Sequence, residues 1–545
     1  MLTATGIVSA ATVRYALDGA HSDLVFAYGF VLYLLLILLS VPRRSVPFAP
    51  LIAFAAFAGV YLSSAIGEGT NDLAMALYVS AGALAYLATQ RVFRPLTVAA
   101  FALWTPAFRL FGSDPFGGFY PGWVATATIL ALFFLVLMLL ARDASDPDEQ
   151  LRRIGLGLLG VACVARISER HFVVANPGGI APDDLWALVV VAVFPVLAVA
   201  KLRRPTRDAL ATGVALGAYV LVGLALIIGK PYHVDSVSVV HRAAELFLQG
   251  RDPYRDLDIT EALLRFGLDP QLATHLIDGS PLHTFNYPAL SFLVPAPFIA
   301  LGLQDIRYIY LVEVVVLVLV LIRQTAVPWR PLVTAAVVGN AVISRQNILA
   351  GVDPLWAVLI ACAFLLIARR WPSSILLGLA VATRQPAWYF APFYLLAVWK
   401  RQGRAEVMRR TGIAAVAAIL PNLPFFFASP LDFLGGVSQP MLGELEPYGV
   451  GLIRFSTDGA LPFLPRGAYA ALSLTALIVF GLILWRAWRR YPSGVLIFPS
   501  AVLWFGWRSL QNYFSFSGIF AMVADEEVMA VESREPPPPP SATAP

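Results

Sequence analysis

Carboxylates and imidazoles, the side chains that most often move protons, concentrate in residues 233–285 of this chain. The stretch holds eight of the 34 acidic residues and four of the six histidines, although the sequence around it is strongly apolar. Asp235 follows an apolar segment that ends near Gly229, which places its carboxylate where an apolar phase meets water. There a carboxylate can take a proton from a hydroxyl group within hydrogen-bond reach. The simpler alternative is a solvated loop, in which charged residues are ordinary.

Three arginines offer the complementary chemistry, the binding of an anion. Arg345, Arg384 and Arg508 each lie at or near the end of an apolar segment. A guanidinium group binds phosphate oxygens in bidentate fashion. At membrane depth an arginine costs about 2.5 to 3.5 kcal/mol on insertion scales, so it usually faces a cavity and a partner. Asp353 shares the stretch ISRQNILAGVDPLW with Arg345 and is a secondary candidate. The alternative for each arginine is an interfacial side chain or an ion pair with a nearby acid.

The composition indicates the class of protein that must position these groups. The chain is 59% hydrophobic and 13% charged, with a mean hydropathy of +0.73, far more apolar than a soluble domain. Its net charge of +5 does not predict nucleic-acid binding, because cations in a membrane protein mostly mark cytoplasmic loops. Both cysteines, Cys163 and Cys362, lie in apolar segments, which argues against a disulfide framework or a cysteine metal site.

The apolar runs predict an all-α, polytopic membrane protein with about 16 spans, since a span needs roughly 20 apolar residues. Residues 1–208 form an N-terminal extension of about seven spans, residues 209–524 form a second module, and residues 525–545 form a disordered, proline-rich tail. Arginines fall in every second loop. By the positive-inside rule, loop 230–304 then lies on the extracytoplasmic face of the inner (plasma) membrane.

Two segments depart from a simple pattern of spans. Residues 286–303 are apolar enough to cross but contain three prolines, and a proline inside a helix costs about 3 kcal/mol. We therefore expect a juxtamembrane or re-entrant element, although a miscounted span such as 331–345 would also satisfy the charge pattern. Residues 373–384 and 387–399 are too short to cross, because a twelve-residue helix rises only about 18 Å. The turn at Arg384 should therefore end in a cavity below the outer interface.

The residues after Asp235 predict an amphipathic helix that lies on the membrane. Apolar residues recur at helical spacing, at Val237, Val240, Ala244 and Phe247. Gly250 should end this helix, and Asp252-Pro253-Tyr254 should form a turn.

The order of these features resembles the first outer loop of the GT-C glycosyltransferases. An apolar span is followed by Val234-Asp235, an amphipathic helix, Gly-x-Asp-Pro-Tyr and then Asn-Tyr-Pro-Ala-Leu at 286–290. The chain is similar to the bacterial, mannosyltransferase-like members, the GT87 family, which use polyprenyl phosphate sugars. The family motif is Tyr-Pro-Pro, and this chain has Ala289 in place of the second proline. The resemblance covers about residues 209–515.

The resemblance implies an inverting membrane glycosyltransferase that moves a sugar, most often mannose, from a polyprenyl phosphate carrier to a lipid or glycan acceptor. It also implies that Asp235 is the catalytic base, and the leaving phosphate would be bound by Arg384, Arg345 and Arg508. The secondary candidates are Asp353, His241, Asn286, Tyr287, Tyr254, Asn512 and Tyr513. No cofactor is expected; Asp235 and Asp353 could together hold a divalent cation, but no metal is assigned. The expected partners are the donor, the acceptor and membrane lipids, and not nucleic acid.

A transporter or flippase for a polar lipid or a sugar is the alternative, with the acidic loop as its gate. Transporters usually show paired broken helices in matching halves, and the two halves of this chain do not resemble each other. Apart from Glu313, acids inside predicted spans are scarce. A noncatalytic scaffold would leave the placement of the acids in the loop unexplained.

Overall fold

A computed structural model describes Leu156 and residues 204–524, apart from residues 339–342, 344–346, 349–350, 450–451, 458–461, 489–493 and 514–515. Apart from Leu156, the seven predicted N-terminal spans lie outside the described residues, as does the predicted tail. The described part of the chain is mostly helical, which confirms the all-α part of the predicted fold class.

The helices, in chain order, are α1 (Arg204–Ile227), α2 (Asp235–Leu248), α3 (Pro253–Asp256), α4 (Ile259–Arg265), α5 (Leu290–Leu293), α6 (Ala296–Ala300), α7 (Arg307–Gln324), α8 (Arg330–Val338), α9 (Leu355–Leu365), α10 (Arg370–Val381), α11 (Phe390–Gln402), α12 (Arg404–Ile419), α13 (Leu423–Ala428), α14 (Pro430–Leu442), α15 (Leu452–Thr457), α16 (Arg466–Arg486), α17 (Gly494–Leu503) and α18 (Ser517–Val523). Two short strands, β1 (Tyr448–Gly449) and β2 (Arg508–Ser509), pair in parallel.

Two of the described helices are long and apolar enough to cross a membrane by length and composition. They are Pro205–Ile227, within α1, and Arg466–Arg486, which is α16. Shorter apolar helices, among them α9 and α17, pack around them. The predicted total of about 16 spans stays a prediction.

The hydrophobic core has two parts. The first, which we call the bundle, is built mainly from α1, α7–α11 and α16–α18. The second, which we call the loop layer, lies over one end of the bundle and contains α2–α6, α13 and α14. Arg307, at the start of α7, fastens this junction: its Nη2 donates to the carbonyl of Lys230 at 2.6 Å and to Asp305 Oδ2 at 2.6 Å. The end of the bundle that carries the loop layer is called the loop end below.

Helix α2 forms where the apolar spacing predicts it, but its surroundings differ from the prediction. Gly250, with a φ of +74°, follows its last turn, and the Asp252 side chain caps α3 by accepting a hydrogen bond from Tyr254 N at 3.0 Å. Val237, Val240 and Ala244 are fully buried against protein. The prediction of a helix lying on the membrane is therefore wrong for these residues, because α4, α5 and α6 cover them.

Residues 286–303 do not form a single crossing helix. They fold into α5 and α6, of four and five residues, which pack beside α2. Pro295 and Pro297 mark the break between them, as expected for residues that cannot continue a backbone hydrogen-bond ladder. The expectation of a short, non-crossing element is confirmed. The backbone N–H of Leu290 donates to the carbonyl of Ala382 at 3.1 Å, which joins this element to the end of α10.

The short helices α10 and α11 meet at a buried turn. A 3₁₀-helix, Gln385–Tyr389, connects them, and Arg384 is only 4% exposed. Gly378 lets α10 lie directly against α12, because a Cβ at this position would collide with the Ala414 carbonyl. Arg384 is therefore buried, as expected of a turn that cannot reach the far surface, and the predicted cavity around it stays a prediction.

Candidate functional site

Asp235 is the first residue of α2, at the loop end of the bundle. A carboxylate is favourable there, because unpaired N–H groups and the helix dipole make a helix N-terminus electropositive. Its Oδ2 accepts two hydrogen bonds from Thr274, one from the backbone N–H at 2.9 Å and one from the hydroxyl at 2.5 Å. The side chain is therefore held in one orientation while it remains half-buried.

Thr274 begins a small hairpin, residues 274–282. This hairpin contacts residues 444–446, and these residues in turn contact Arg508. Leu282 N donates to the Thr274 carbonyl at 2.8 Å, and Ile277 N donates to the Glu444 carbonyl at 2.7 Å. Arg508, in β2, donates from Nη1 to the Glu446 carbonyl at 2.9 Å. We call residues 274–282, 444–449 and 508–509 the ribbon. Through the ribbon, the segments that carry Asp235 and Arg508 are fixed relative to each other.

Arg384 lies at the centre of a second, more deeply buried group. Its guanidinium stacks on the ring of Tyr287, with Cζ 4.0 Å from the ring centroid. Its Nε lies 3.9 Å from Oδ2 of Asp353, which is 3% exposed, and Asp353 Oδ1 accepts from Leu355 N at 2.7 Å. Arg384 therefore has a carboxylate on one side and an aromatic face on the other.

Several polar atoms around Arg384 lack partners. Nε and Nη2 of Arg384, Oη of Tyr310 and Oε2 of Glu313 are buried and have no hydrogen-bond partner within the described part of the chain. Each such group costs about 1 to 3 kcal/mol. Their concentration in one place is typical of a site that is completed by a polar ligand.

Tyr287 lies within electrostatic range of both Asp235 and Arg384. The charges of Arg384, Asp235 and Arg508 all act on its phenol, which places the proposed base and two of the three predicted phosphate-binding arginines in the same region of the protein. Burial raises the pKa of Tyr287, and the positive charge of Arg384 opposes that rise. Tyr287 is therefore a neutral hydrogen-bonding group at neutral pH.

The loop that carries Asp353 is pressed against α2. Gly351 has a φ of +64°, and a Cβ at this position would lie 2.5 Å from Cβ of Val237. Val237 follows Asp235 by two residues and Gly351 precedes Asp353 by two. This contact brings the segments of the two predicted carboxylates together.

The other predicted residues have different surroundings. Tyr254 and Asn286 support Tyr287: Tyr254 Oη donates to the Tyr287 carbonyl at 2.8 Å, and the Asn286 carbonyl accepts from Gln385 at 2.6 Å. Tyr254 is 1% exposed and packed among phenylalanines, so its ring does not face an open site.

His241 lies in the core of the loop layer rather than beside Arg384. It is 3% exposed, its Nδ1 pairs with Tyr232 Oη at 2.8 Å, and its ring packs on Phe266 with centroids 4.7 Å apart. Asn512 is buried beside Tyr513 in the turn after β2, and the Tyr513 phenol lies close enough to Arg384 for their charges to interact.

Arg345 lies outside the described residues. Within the described ranges, no three His, Cys, Asp or Glu side chains are grouped so that they could hold a metal ion.

Three residues of this region were not predicted from the sequence as site residues: Thr274, Tyr310 and Glu313. Thr274 has no sequence signal, because its contact with Asp235 spans 39 residues. Glu313 has one, since it is an acid inside an apolar helix, and such residues usually mark a functional site. Tyr310 lies one helical turn before it and shares its face.

Comparisons with known proteins relate part of the chain to one family of enzymes. Residues 285–515 match the family model described as Glycosyltransferase family 87. This region contains Tyr287, Asp353, Arg384 and Arg508, and it begins after Asp235 and Thr274. A search of curated proteins gave no match, and a search of solved structures gave none. Through residues 285–515 the chain is thus similar to glycosyltransferase family 87, and it is a membrane glycosyltransferase.

Proposed function

We propose that the protein transfers mannose from a polyprenyl phosphate carrier to a lipid or glycan acceptor, with inversion at the anomeric carbon, on the extracytoplasmic face of the inner membrane. The observation that carries the proposal is the buried Arg384, whose Nε and Nη2 have no hydrogen-bond partner among the described residues, beside Tyr287, whose phenol is also within range of the charge of Asp235. A guanidinium with free N–H donors is suited to the phosphate of such a donor.

Asp235 and the arginines have separate roles in the proposed reaction. Asp235 takes the proton from the acceptor hydroxyl while the hydroxyl oxygen forms a bond to the anomeric carbon. The bond between this carbon and the phosphate oxygen breaks, and its electron pair leaves with the phosphate. Arg384 and Arg508, and Arg345 as a further candidate, stabilise the charge that develops on the phosphate. No second carboxylate is needed as a nucleophile, because the acceptor attacks opposite the leaving group.

Charge distribution supports the choice of face. Cations cluster at the end of the bundle opposite the loop layer, around the junctions that follow α7, α9, α11 and α16: Arg323, Arg369, Arg370, Lys400, Arg401, Arg404, Arg409, Arg410 and Arg486. By the positive-inside rule this end is cytoplasmic, and the loop end is extracytoplasmic. Mannose is proposed on the resemblance carried by Val234-Asp235 and Asn286-Tyr287-Pro288.

The test is transfer of radiolabelled mannose from a polyprenyl phosphate donor to a membrane lipid extract by the purified full-length protein. Asp235→Asn should abolish transfer and leave folding intact, because the amide keeps the shape but cannot accept the proton. Asp432→Asn is the matched control, since Asp432 is also an aspartate in the first turn of a loop-layer helix but is exposed. Transfer at the normal rate by Asp235→Asn would remove this residue from the mechanism, and no transfer from any mannosyl donor would exclude the proposed substrate.

A further inference from the structure

Helix α7 presents two polar side chains to the group around Arg384. Tyr310 and Glu313 are three residues apart and therefore lie on the same face of the helix. Counted from Arg307 at the loop end, they lie about 4.5 and 9 Å down the helix axis. Tyr310 is 2% exposed, and the charges of Asp353, Arg384 and Glu313 all act on its hydroxyl. The two residues thus form a wall of the site that the proposed mechanism does not use.

The hydrogen-bonding needs of this wall differ from those of Arg384. Arg384 can only donate, so a phosphate alone satisfies it. The Glu313 carboxyl has a buried oxygen, Oε2, without a partner in the described part of the chain, and the Tyr310 hydroxyl both donates and accepts. A phosphate diester offers no hydrogen-bond donor, so at least one oxygen of the Glu313 carboxyl would stay without a donor. A ligand with hydroxyl groups beside its phosphate supplies both the acceptors that Arg384 needs and the donors that Glu313 needs. A sugar phosphate is such a ligand.

We propose that Tyr310 and Glu313 form the subsite that binds the sugar hydroxyls of the donor, beside the phosphate that Arg384 binds. This inference rests on the proposed function, because it assumes that a lipid-linked sugar phosphate enters the site. In this arrangement the residues of α7 recognise the sugar, and those of the turn before α11 recognise the phosphate. Sugar selection and phosphate binding are therefore separable by mutation.

The experiment compares the binding of two lipids to the full-length protein in nanodiscs. One is polyprenyl phosphate mannose, and the other is the methyl ester of the same polyprenyl phosphate, which has the same charge and no sugar. We expect the wild-type protein to bind the mannosyl lipid about tenfold more tightly or better, since each satisfied hydroxyl adds a net hydrogen bond. Tyr310→Phe and Glu313→Leu should reduce this ratio towards one and leave the affinity for the methyl ester unchanged.

Three further variants separate the sugar subsite from its surroundings. Arg384→Gln should weaken the binding of both lipids, and Tyr308→Phe, the same chemical change on the same helix, should alter neither. Glu313→Gln should keep part of the preference, because an amide still bonds to hydroxyls. The unfolding temperature of each variant is first compared with that of the wild-type protein. A variant that unfolds at a lower temperature is replaced by Glu313→Gln, whose binding is then measured with donors that each lack one sugar hydroxyl.

The outcomes are distinct. A wild-type ratio retained in both Tyr310→Phe and Glu313→Leu would overturn the sugar subsite while the proposed transfer still stood. Failure of the wild-type protein to bind either lipid would overturn the proposed donor, and the subsite with it.

Discussion

Two of the arginines that are almost completely buried in the described part of this protein, Arg410 and Arg384, have opposite surroundings. Arg410, 1% exposed, lies at the end of the bundle opposite the loop layer, where it bonds to Glu406 Oε1 at 3.0 Å, the Ile367 carbonyl at 2.7 Å, Tyr394 Oη at 3.0 Å and Gln402 Oε1 at 2.7 Å. Arg384, 4% exposed, has its nearest carboxylate at 3.9 Å and two nitrogens without a hydrogen-bond partner in the described ranges.

The difference supports a structural role for Arg410 and the proposed ligand-binding role for Arg384. Arg410 connects α12 with α11 and with the residues that follow α9, and its hydrogen bonds offset the cost of removing the charge from water. Arg384 has less compensation from the protein, namely the ring of Tyr287 and the more distant Asp353, so its Nε and Nη2 can still donate to a bound anion. Burial alone does not separate the two residues, whereas their hydrogen-bond partners do.

The largest expected effect is on catalysis by Arg384. Arg384→Gln should lower kcat/KM for mannose transfer by about 10²–10³-fold, which is the usual loss when one donor to a developing anion is removed. The unfolding temperature should stay equal or rise, because an unsatisfied buried charge is removed. Transfer assays and thermal unfolding of the same preparation check both. Arg384→Lys should not restore activity, since an ammonium group cannot reproduce the planar fork. A large loss of stability would show that Arg384 is structural like Arg410.

The next largest effect is expected at Arg410, where stability should fall and catalysis should not. Arg410→Met should destabilise the protein by about 3 to 5 kcal/mol, because removing one partner of a buried ion pair leaves the remaining polar groups buried without a partner. Activity per folded molecule should remain normal at temperatures well below unfolding. Denaturation curves and transfer rates test this pattern, with exposed Arg409→Met as the matched control. Full stability of Arg410→Met would contradict the structural assignment.

A smaller effect is expected at Thr274, which orients Asp235. Thr274→Val keeps the shape and the backbone N–H but removes the hydroxyl that donates to Asp235 Oδ2. A hydrogen bond to a charged group contributes about 1.5 to 3 kcal/mol, so kcat for transfer should fall about tenfold while the KM for the donor stays unchanged. Thr274→Ser should restore kcat. An unchanged kcat in Thr274→Val would exclude this positioning role.

The smallest effect concerns the pH dependence of stability at the Arg410 cluster. Hydrogen bonds from Arg370 and then from Arg410 lower the pKa of Glu406 from 4.5 to about 2. Because the pKa in the folded state is below that in the unfolded state, this contribution to stability is complete above about pH 4.5 and is lost as the pH falls towards 2. Unfolding temperatures between pH 7 and pH 3 should show the fall, and Glu406→Gln should be less stable at pH 7 and lack this part of it. Equal pH dependence in both proteins would exclude Glu406 as its origin.

Local rules predicted a substantial part of this architecture. The lengths of α10 and α11 predicted that the turn at Arg384 is internal, and prolines predicted the break in residues 286–303. Both rest on geometry within a few residues of chain. The apolar spacing of α2 predicted the helix but not what covers it, because periodicity does not distinguish lipid from protein.

The rest of the site depends on contacts between distant segments. The bond between Thr274 and Asp235 needs the hairpin of the ribbon, and that hairpin is held by residues 444–446. Likewise, Arg384 and Arg410 both lie at the ends of predicted apolar segments. Only the folded arrangement shows that one of them has a full set of partners.

The close approach of Gly351 and Val237 has a consequence for precision. Because one member of the contact is bare main chain and the other is a stiff, branched side chain, the gap between the two segments cannot vary with side-chain rotation. The separation between Asp235, the proposed proton acceptor, and Asp353, which lies beside the proposed phosphate-binding Arg384, is therefore set by the backbone. A single methyl group added at residue 351 would push these two segments apart.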